Sequence, residues 1–292
     1  MPFQKTIKSE IALSGVGIHT GKRINLKLIP AERDTGIVFF RKDKGIYLKA
    51  KLPFVTDTTF ATTIGIDGIK VRTVEHLLAT IYAFGITNLL IELDGSEIPV
   101  LDGSSLDFTR AILKSGIAKQ GKTVPVLRIK KPFVYEEAVS RIIAKPHNGF
   151  KITYKIFYDH PLIMEQSLSL EINEQNFMKE VSPARTFGFL KDIQYLMKNG
   201  FARGGSLENA VVLDERGVVG GSLRFKDEFV RHKILDAIGD LSLAGFPLQG
   251  HFIFERGGHT SHINFLRSLN ESAVFELVEE TQFSFQLSAQ PV

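Results

Sequence analysis

The chain has 292 residues, 43% hydrophobic and 23% charged, a composition that predicts a folded globular protein of about two domains rather than a disordered one. It contains no cysteine, which excludes disulfides, thiolate metal sites and a thiol nucleophile; a transition metal would have to be held by His, Asp or Glu. The net charge of +4 comes from scattered Lys and Arg without the basic block of a nucleic-acid stripe, so no nucleic acid is expected as a partner.

Met1 to Glu10 lacks the apolar core of a signal peptide, and no apolar run is long enough to cross a bilayer, so no transmembrane segment is expected and a cytoplasmic protein is. Lys5 to Leu13 and Arg23 to Leu28 alternate like strands, joined by the turn-rich Ser14-Gly-Val-Gly-Ile-His-Thr-Gly21. Residues 33–69, dense in β-branched residues and glycine, predict a small extra sheet. Val71 to Phe84 predicts a helix ended by Gly85, Asn88 to Leu93 a buried strand, and Leu106 to Lys114 a second helix. The polar run Ala118-Lys-Gln-Gly-Lys-Thr-Val-Pro125 predicts the boundary between an N-terminal domain, 1–121, and a C-terminal domain, 126–292.

Strand patterns return at Val126 to Tyr135, Arg141 to Ala144 and Phe150 to Tyr158. Then follow a helix at Leu190 to Lys198, a strand at Ala210 to Leu213, a helix at Val230 to Leu243, a strand at Gly250 to Glu255 and a last helix over Asn264 to Glu279. The runs Val71 to Gly85 and Val230 to Gly245 both begin Val-Arg, carry His early, end at Gly and lead into an apolar strand. The match is short and one residue out of phase. Coincidence accounts for it, and so does a duplicated strand-and-helix unit whose helices meet at an interface.

Within the second of these helices, His232 and Asp236 stand four residues apart on one face and can offer two ligands to one metal. A surface ion pair has the same spacing. The face continues to Asp240 with a drift of only roughly 40° per step, and Ile234, Leu235, Ile238 and Leu241 predict a largely buried helix, where carboxylates need partners or a cation. Glu75-His76 in the first helix offers a third ligand and an adjacent general base, or a surface Glu beside a packed His. Gly257-Gly258-His259 presents a His as a general acid or anion contact, or makes a plain turn. Asp240 is a candidate to orient that His and raise its pKa. Ser182 to Phe189 sets a hydroxyl and two rings before a helix. Phe201 to Leu207 is glycine-rich without the Lys-Ser/Thr ending of a phosphate loop, and neither a dinucleotide fingerprint nor a Gly-x-Ser-x-Gly elbow is present.

Taken in order, Ser14 to Gly21, Thr73-Val-Glu-His-Leu-Leu78, Ile98-Pro-Val-Leu-Asp-Gly-Ser104, Ala184-Arg-Thr-Phe-Gly-Phe189, Phe229 to Asp240 and Gly257-Gly-His259 resemble the UDP-3-O-acyl-N-acetylglucosamine deacetylases, the LpxC family of Gram-negative lipid A biosynthesis. The resemblance covers nearly the whole chain. It implies an α+β fold of two similar domains, each a helical layer packed on a β-sheet, with the helices facing across the domain interface. One insert is implied per domain: a small sheet in the first, a β-α-β unit in the second.

The resemblance also implies one catalytic Zn2+ held by His76, His232 and Asp236. Glu75 would take a proton from the attacking water, Thr186 would stabilise the oxyanion, and His259, oriented by Asp240, would protonate the departing amine. The substrate implied is a UDP-linked acylated amino sugar, deacetylated by hydrolysis, with Lys233, Phe187 and His19 in contact with it and Tyr158 stacked on the uracil. Leu190, Ile193, Leu196, Met197, Ala202, Ala210 and Val212 are candidates to line the acyl-chain passage, although helix-to-strand core packing has the same pattern. A monomer is expected. The competing expectations are another zinc amidase or peptidase on this scaffold and a non-catalytic scaffold protein.

Overall fold

A computed structural model describes residues 1–279. Two copies of one five-stranded pattern account for most of it. In the first, the strand order is Ile11–Val16, Arg23–Pro30, Leu89–Leu93, Ile37–Arg41, Ile46–Lys49. The central Leu89–Leu93 runs antiparallel to Arg23–Pro30 and parallel to Ile37–Arg41. In the second, the order is Phe133–Glu137, Ser140–Lys145, Leu248–Glu255, Phe150–Tyr158, Met164–Glu171. Its central Leu248–Glu255 is again antiparallel to one inner neighbour, Ser140–Lys145, and parallel to the other, Phe150–Tyr158. Each central strand follows one helix (Glu75–Ala83 or Glu228–Ser242) and precedes another (Leu106–Ser115 or His259–Asn270). The duplicated unit read from the Val-Arg and Gly echoes is therefore present as a whole topology.

Each sheet buries one face under its helices. Arg23–Pro30 turns Ile24, Leu26 and Leu28 inward and Arg23, Asn25 and Lys27 outward, the alternation of a one-sided sheet. Glu75–Ala83 and Glu228–Ser242 pack along each other between the two sheets. Glu75 through Ile81 is buried without a break, as a helix covered on all sides must be. Gly85 and Gly245 end the runs with φ of 65° and 80°, left-handed values that glycine takes without a side-chain clash. The helices leave no room for a side chain at Gly239, where an added Cβ would lie 2.1 Å from the Glu75 carbonyl oxygen. Gly239→Ala is expected to cost at least about 1–3 kcal/mol, a fall in melting temperature of about 2–4 °C per kcal/mol. Thermal unfolding checks this, and an unchanged midpoint would mean the helices separate freely.

Val55–Asp57, Thr63–Ile66 and Ile69–Val71 form the small sheet of the first half. In the second half, Phe187–Phe189 and Val211–Asp214 pair in parallel across the helix Leu190–Lys198, a β-α-β unit with Gly217–Val219 added antiparallel. The fold class is thus α+β, with helices facing across the interface and one insert per half. No described helix is long and apolar enough to cross a membrane.

Several element boundaries differ from the sequence expectation. Lys5 to Leu13 is two strands, Phe3–Ile7 and Ile11–Val16, in different sheets. The extra sheet expected over 33–69 is smaller, because Phe39 and Leu48 are fully buried in the main sheet and carry their strands into it. The first helix starts at Glu75, not Val71: Val71 ends a strand and Thr73 has φ 57°. The run Ala118 to Pro125 is mostly strand, since Ile117–Thr123 pairs with Phe3–Ile7. The last helix is His259–Asn270, and Phe275–Val278 leaves it to pair with Val126–Ile129. Met164–Glu171, which the sequence reading passed over, is a strand paired with Phe150–Tyr158.

Candidate active site

Glu75 and His76 occupy the first turn of the helix Glu75–Ala83, where the exposed N–H groups favour an anionic side chain. The preceding turn is fixed by Glu97, a fully buried carboxylate. It accepts from the Thr73 hydroxyl at 3.0 Å and from the backbone N–H groups of His19 and Thr20, each at 2.8 Å. One carboxylate thus ties the His19 loop to the start of the helix. Across the interface, His232, Asp236 and Asp240 lie on successive turns of Glu228–Ser242, all buried.

The two helices bring His76, His232 and Asp236 together. Their donor atoms lie within 4.8 Å of one another. The imidazole Nε2 atoms of His76 and His232 stand 3.6 and 3.3 Å from Asp236 Oδ1, longer than a charge-assisted hydrogen bond. His232 Nδ1 is 3.1 Å from the Ala184 carbonyl, an acceptor only, so Nδ1 carries the hydrogen and Nε2 presents a lone pair. His76 Nδ1 is buried with no hydrogen-bond partner. Burial pushes His232 down to about 4, so it is neutral. Burial alone would raise the Asp236 carboxyl, but its interactions with His232 and Lys233 outweigh that and hold it well below the usual range. Two imidazoles and one ionised carboxylate, converging without satisfying one another, can hold a metal ion and suit zinc.

Glu75 Oε2 accepts from the Thr62 N–H at 3.0 Å, while Oε1 faces His259 Nε2 at 3.9 Å. An atom between these two groups would be within reach of both. Burial raises the Glu75 carboxyl above its ordinary value. His259 Nδ1 donates to Asp240 Oδ2 at 2.8 Å. Burial works against a charged imidazole, yet the Asp240 carboxylate, by charge and by hydrogen bond, outweighs it and lifts His259 to about 9. Asp240, His259 and His262 form a second group with metal-ligand spacing, but its atoms are committed to hydrogen bonds among themselves.

A cavity of about 470 Å³ opens on these residues. Glu75, His76, Thr186, His232, Lys233, Asp236 and His259 all line it, together with His19, Tyr158, Phe187 and Leu196. Asp240 lies beneath, at full burial. Lys233 Nζ bonds Asp236 Oδ2 at 2.9 Å and lies 5.8 Å from the Phe187 ring. The remaining acyl-passage candidates are not on the lining. Leu190 and Met197 are about half exposed, Ile193 shares their face of the helix, and Val212 is buried in the insert sheet. Ala202 sits beside His19, and Ala210 precedes the strand Val211–Asp214. The helix Leu190–Lys198 instead turns Asp192, Tyr195 and Leu196 to the cavity, residues spaced i, i+3, i+4.

Residues 4–271 match the family model described as UDP-3-O-acyl N-acetylglycosamine deacetylase. The chain belongs to this family. A protein of Thermodesulfovibrio yellowstonii, named UDP-3-O-acyl-N-acetylglucosamine deacetylase, is 75% identical over 292 residues, the whole of both chains. Proteins of the same name from Oleidesulfovibrio alaskensis and Syntrophus aciditrophicus are 47% and 46% identical, over 99% and 93% of this chain and 97% and 87% of theirs.

Four groups around this deacetylase-family site escaped the sequence reading: Thr62, Glu97, Tyr154 and His262. Thr62 and Glu97 lie in segments with no periodic pattern and reach the site through long-range contacts. His262 stands three residues after His259, a helical spacing, but the sequence reading began the last helix at Asn264 and left both outside it.

Proposed function

We propose that the protein is a zinc-dependent deacetylase that hydrolyses the acetamide of UDP-3-O-[(3R)-3-hydroxyacyl]-N-acetylglucosamine to the free amine and acetate, an early cytoplasmic step of lipid A biosynthesis. The observation that carries it is the convergence, on one cavity between two packed helices, of a three-donor metal set with a buried carboxylate on one side and a cationic imidazole on the other. In this reading the chain divides into domains near 1–121 and 126–292, with the strand Ile117–Thr123 completing the first.

His76, His232 and Asp236 hold the zinc. When bound, zinc supplies Lewis acidity that polarises a carbonyl and lowers the pKa of an attacking water. Glu75 Oε1 accepts the proton of that water, and the Thr62 N–H on Oε2 keeps the carboxylate aimed. The Thr186 hydroxyl donates to the developing oxyanion. Its backbone is pinned on both sides, the N–H donating to the Gly103 carbonyl at 2.7 Å and the C=O accepting from Val211 at 2.8 Å, so little reorganisation is needed. His259 Nε2 delivers a proton to the departing amine nitrogen while Asp240 holds its Nδ1–H. Lys233, Phe187 and His19 contact the sugar and its phosphates, Tyr158 stacks on uracil, and the insert carries the acyl chain past Leu196. A monomer suffices, since every group named comes from one chain.

The deciding experiment is acetate release from the UDP-sugar with and without its 3-O-acyl chain, after chelation and return of zinc. Each methylene buried contributes about 0.8 kcal/mol, so several should make the acylated substrate better by at least about tenfold. Chelation should abolish both activities. Cleavage of simple acetamides or peptides at equal rates would instead support a general zinc amidase, and zinc-independent release would remove the metal from the reading.

A further inference from the structure

His262 has no part in the reaction described above, yet it is the most deeply buried histidine of the described residues. It stands one turn after His259 on the same helix. Both Nδ1 atoms lie 2.8 Å from a single oxygen, Asp240 Oδ2. The other oxygen, Oδ1, accepts from the Thr62 hydroxyl. On its far side, His262 Nε2 is 3.0 Å from the hydroxyl of Tyr154, which lies on the strand Phe150–Tyr158 with its ring stacked on Phe254. Burial holds the Tyr154 hydroxyl well above its ordinary pKa, so it keeps its proton and donates it to Nε2. His262 must then carry its hydrogen on Nδ1 and give it to Asp240. Burial also lowers the His262 pKa, which leaves the ring neutral.

Gly257, in the Gly-Gly-His run, protects this chain of bonds. A Cβ at that position would lie 2.8 Å from the Tyr154 hydroxyl and 3.0 Å from His262 Nε2.

We propose that His262 is a positioning residue that sets the acidity of His259: fixed in its Nδ1–H tautomer by Tyr154, it shares the Asp240 carboxylate oxygen with His259 and weakens that carboxylate's hold on the imidazolium. The inference rests on the reading of His259 as the proton donor. A buried carboxylate that loses one donor depends more on the remaining one. With His262 unable to donate, Asp240 would grip the His259 proton harder and the acid would release it less readily. The other titratable groups facing His259 are Glu75 at 3.9 Å and, further off, Asp236 and His19, with the Thr62 hydroxyl 3.3 Å from Nδ1. None of them is altered by a change at 262.

Long-range proton–nitrogen NMR of the zinc-loaded protein reads the tautomer and titration midpoint of each histidine without turnover, and the pH profile of kcat/KM is read beside it. We expect His262 in the Nδ1–H form. His262→Leu should raise the His259 midpoint and the basic limb of the profile together by about one pH unit. His262→Asn keeps an N–H near the Nδ1 position and should return both toward wild type. Tyr154→Phe should release the tautomer and give a smaller shift in the same direction, which preserves the test if His262→Leu does not fold. An Nε2–H tautomer in the wild type, or a His259 midpoint unmoved in the folded donor-removing variants, would overturn the proposal. Because NMR requires no substrate, a protein that fails to deacetylate but shows the shifted midpoint defeats the deacetylase reading and leaves this one standing.

Discussion

Glu75→Ala should keep its zinc and lose about 10²- to 10⁴-fold in kcat, the range carried by one positioned general base. The reason is geometric. Glu75 is beside the proposed ligand His76 in sequence but does not belong to the converging donor set, so its removal leaves all three donor atoms in place. The variant leaves the buried Thr62 N–H without its acceptor, a local penalty of about 1–3 kcal/mol that can blur the result. Glu75→Gln avoids this, because its amide oxygen still accepts from Thr62 while lacking a carboxylate's proton affinity. Both variants should therefore fall together in turnover, with Gln closer to wild type in stability. Metal analysis and steady-state kinetics on the same preparations check this. Activity within about tenfold of wild type in Glu75→Gln would remove Glu75 as the base. Zinc lost together with activity would show that Glu75 acts by placing His76.

How much of this was legible in the sequence depends on the range of the contact. Leu106–Ser115 was readable to within a residue because Phe108 and Ile112 turn inward while Asp107, Arg110 and Lys114 turn to solvent. The first helix was extended too far back because Val71 and Val74 fit a helical stripe, and nothing about a threonine announces a left-handed φ. The last helix was run too far forward because Val274, Phe275, Leu277 and Val278 suit either period; pairing with Val126–Ile129 decided for strand. The proposed ligand pair His232 and Asp236 was legible as a spacing on one helix. His76 was offered as a third member by the echo between the two helices, where a packed histidine fitted the same pattern. The family resemblance favoured the ligand reading, and in the fold the packing of Glu75–Ala83 on Glu228–Ser242 brings the three side chains together. Of the candidates named for an acyl passage, Leu196 lines the cavity, and the apolar pattern of the helix Leu190–Lys198 did not tell which of its faces meets that cavity.

His259→Ala should lose a comparable 10²- to 10⁴-fold at neutral pH and should also change the shape of the pH profile. Burial alone would make His259 a stronger acid than free histidine, but Asp240 first, and then Glu75, reverse this and hold it at about 9. The sign follows from the direction. A raised pKa keeps the imidazolium populated through neutrality and loses it as pH rises through about 9. An amine leaving group needs the protonated form, so wild-type kcat/KM should decline on the basic side with a midpoint near that value, because kcat/KM reports the free protein's ionisations. In His259→Ala that decline should vanish, leaving a slower reaction that is flat across the same range. Asp240→Asn should bring the midpoint down toward the ordinary 6.5 of histidine, because the amide removes the charge that sustains the shift. A decline near 9 that survives in His259→Ala would assign the proton to another group. A decline that moves in Asp240→Asn and vanishes in His259→Ala would tie the acidity of the leaving-group side to one hydrogen bond between two helices, Glu228–Ser242 and His259–Asn270.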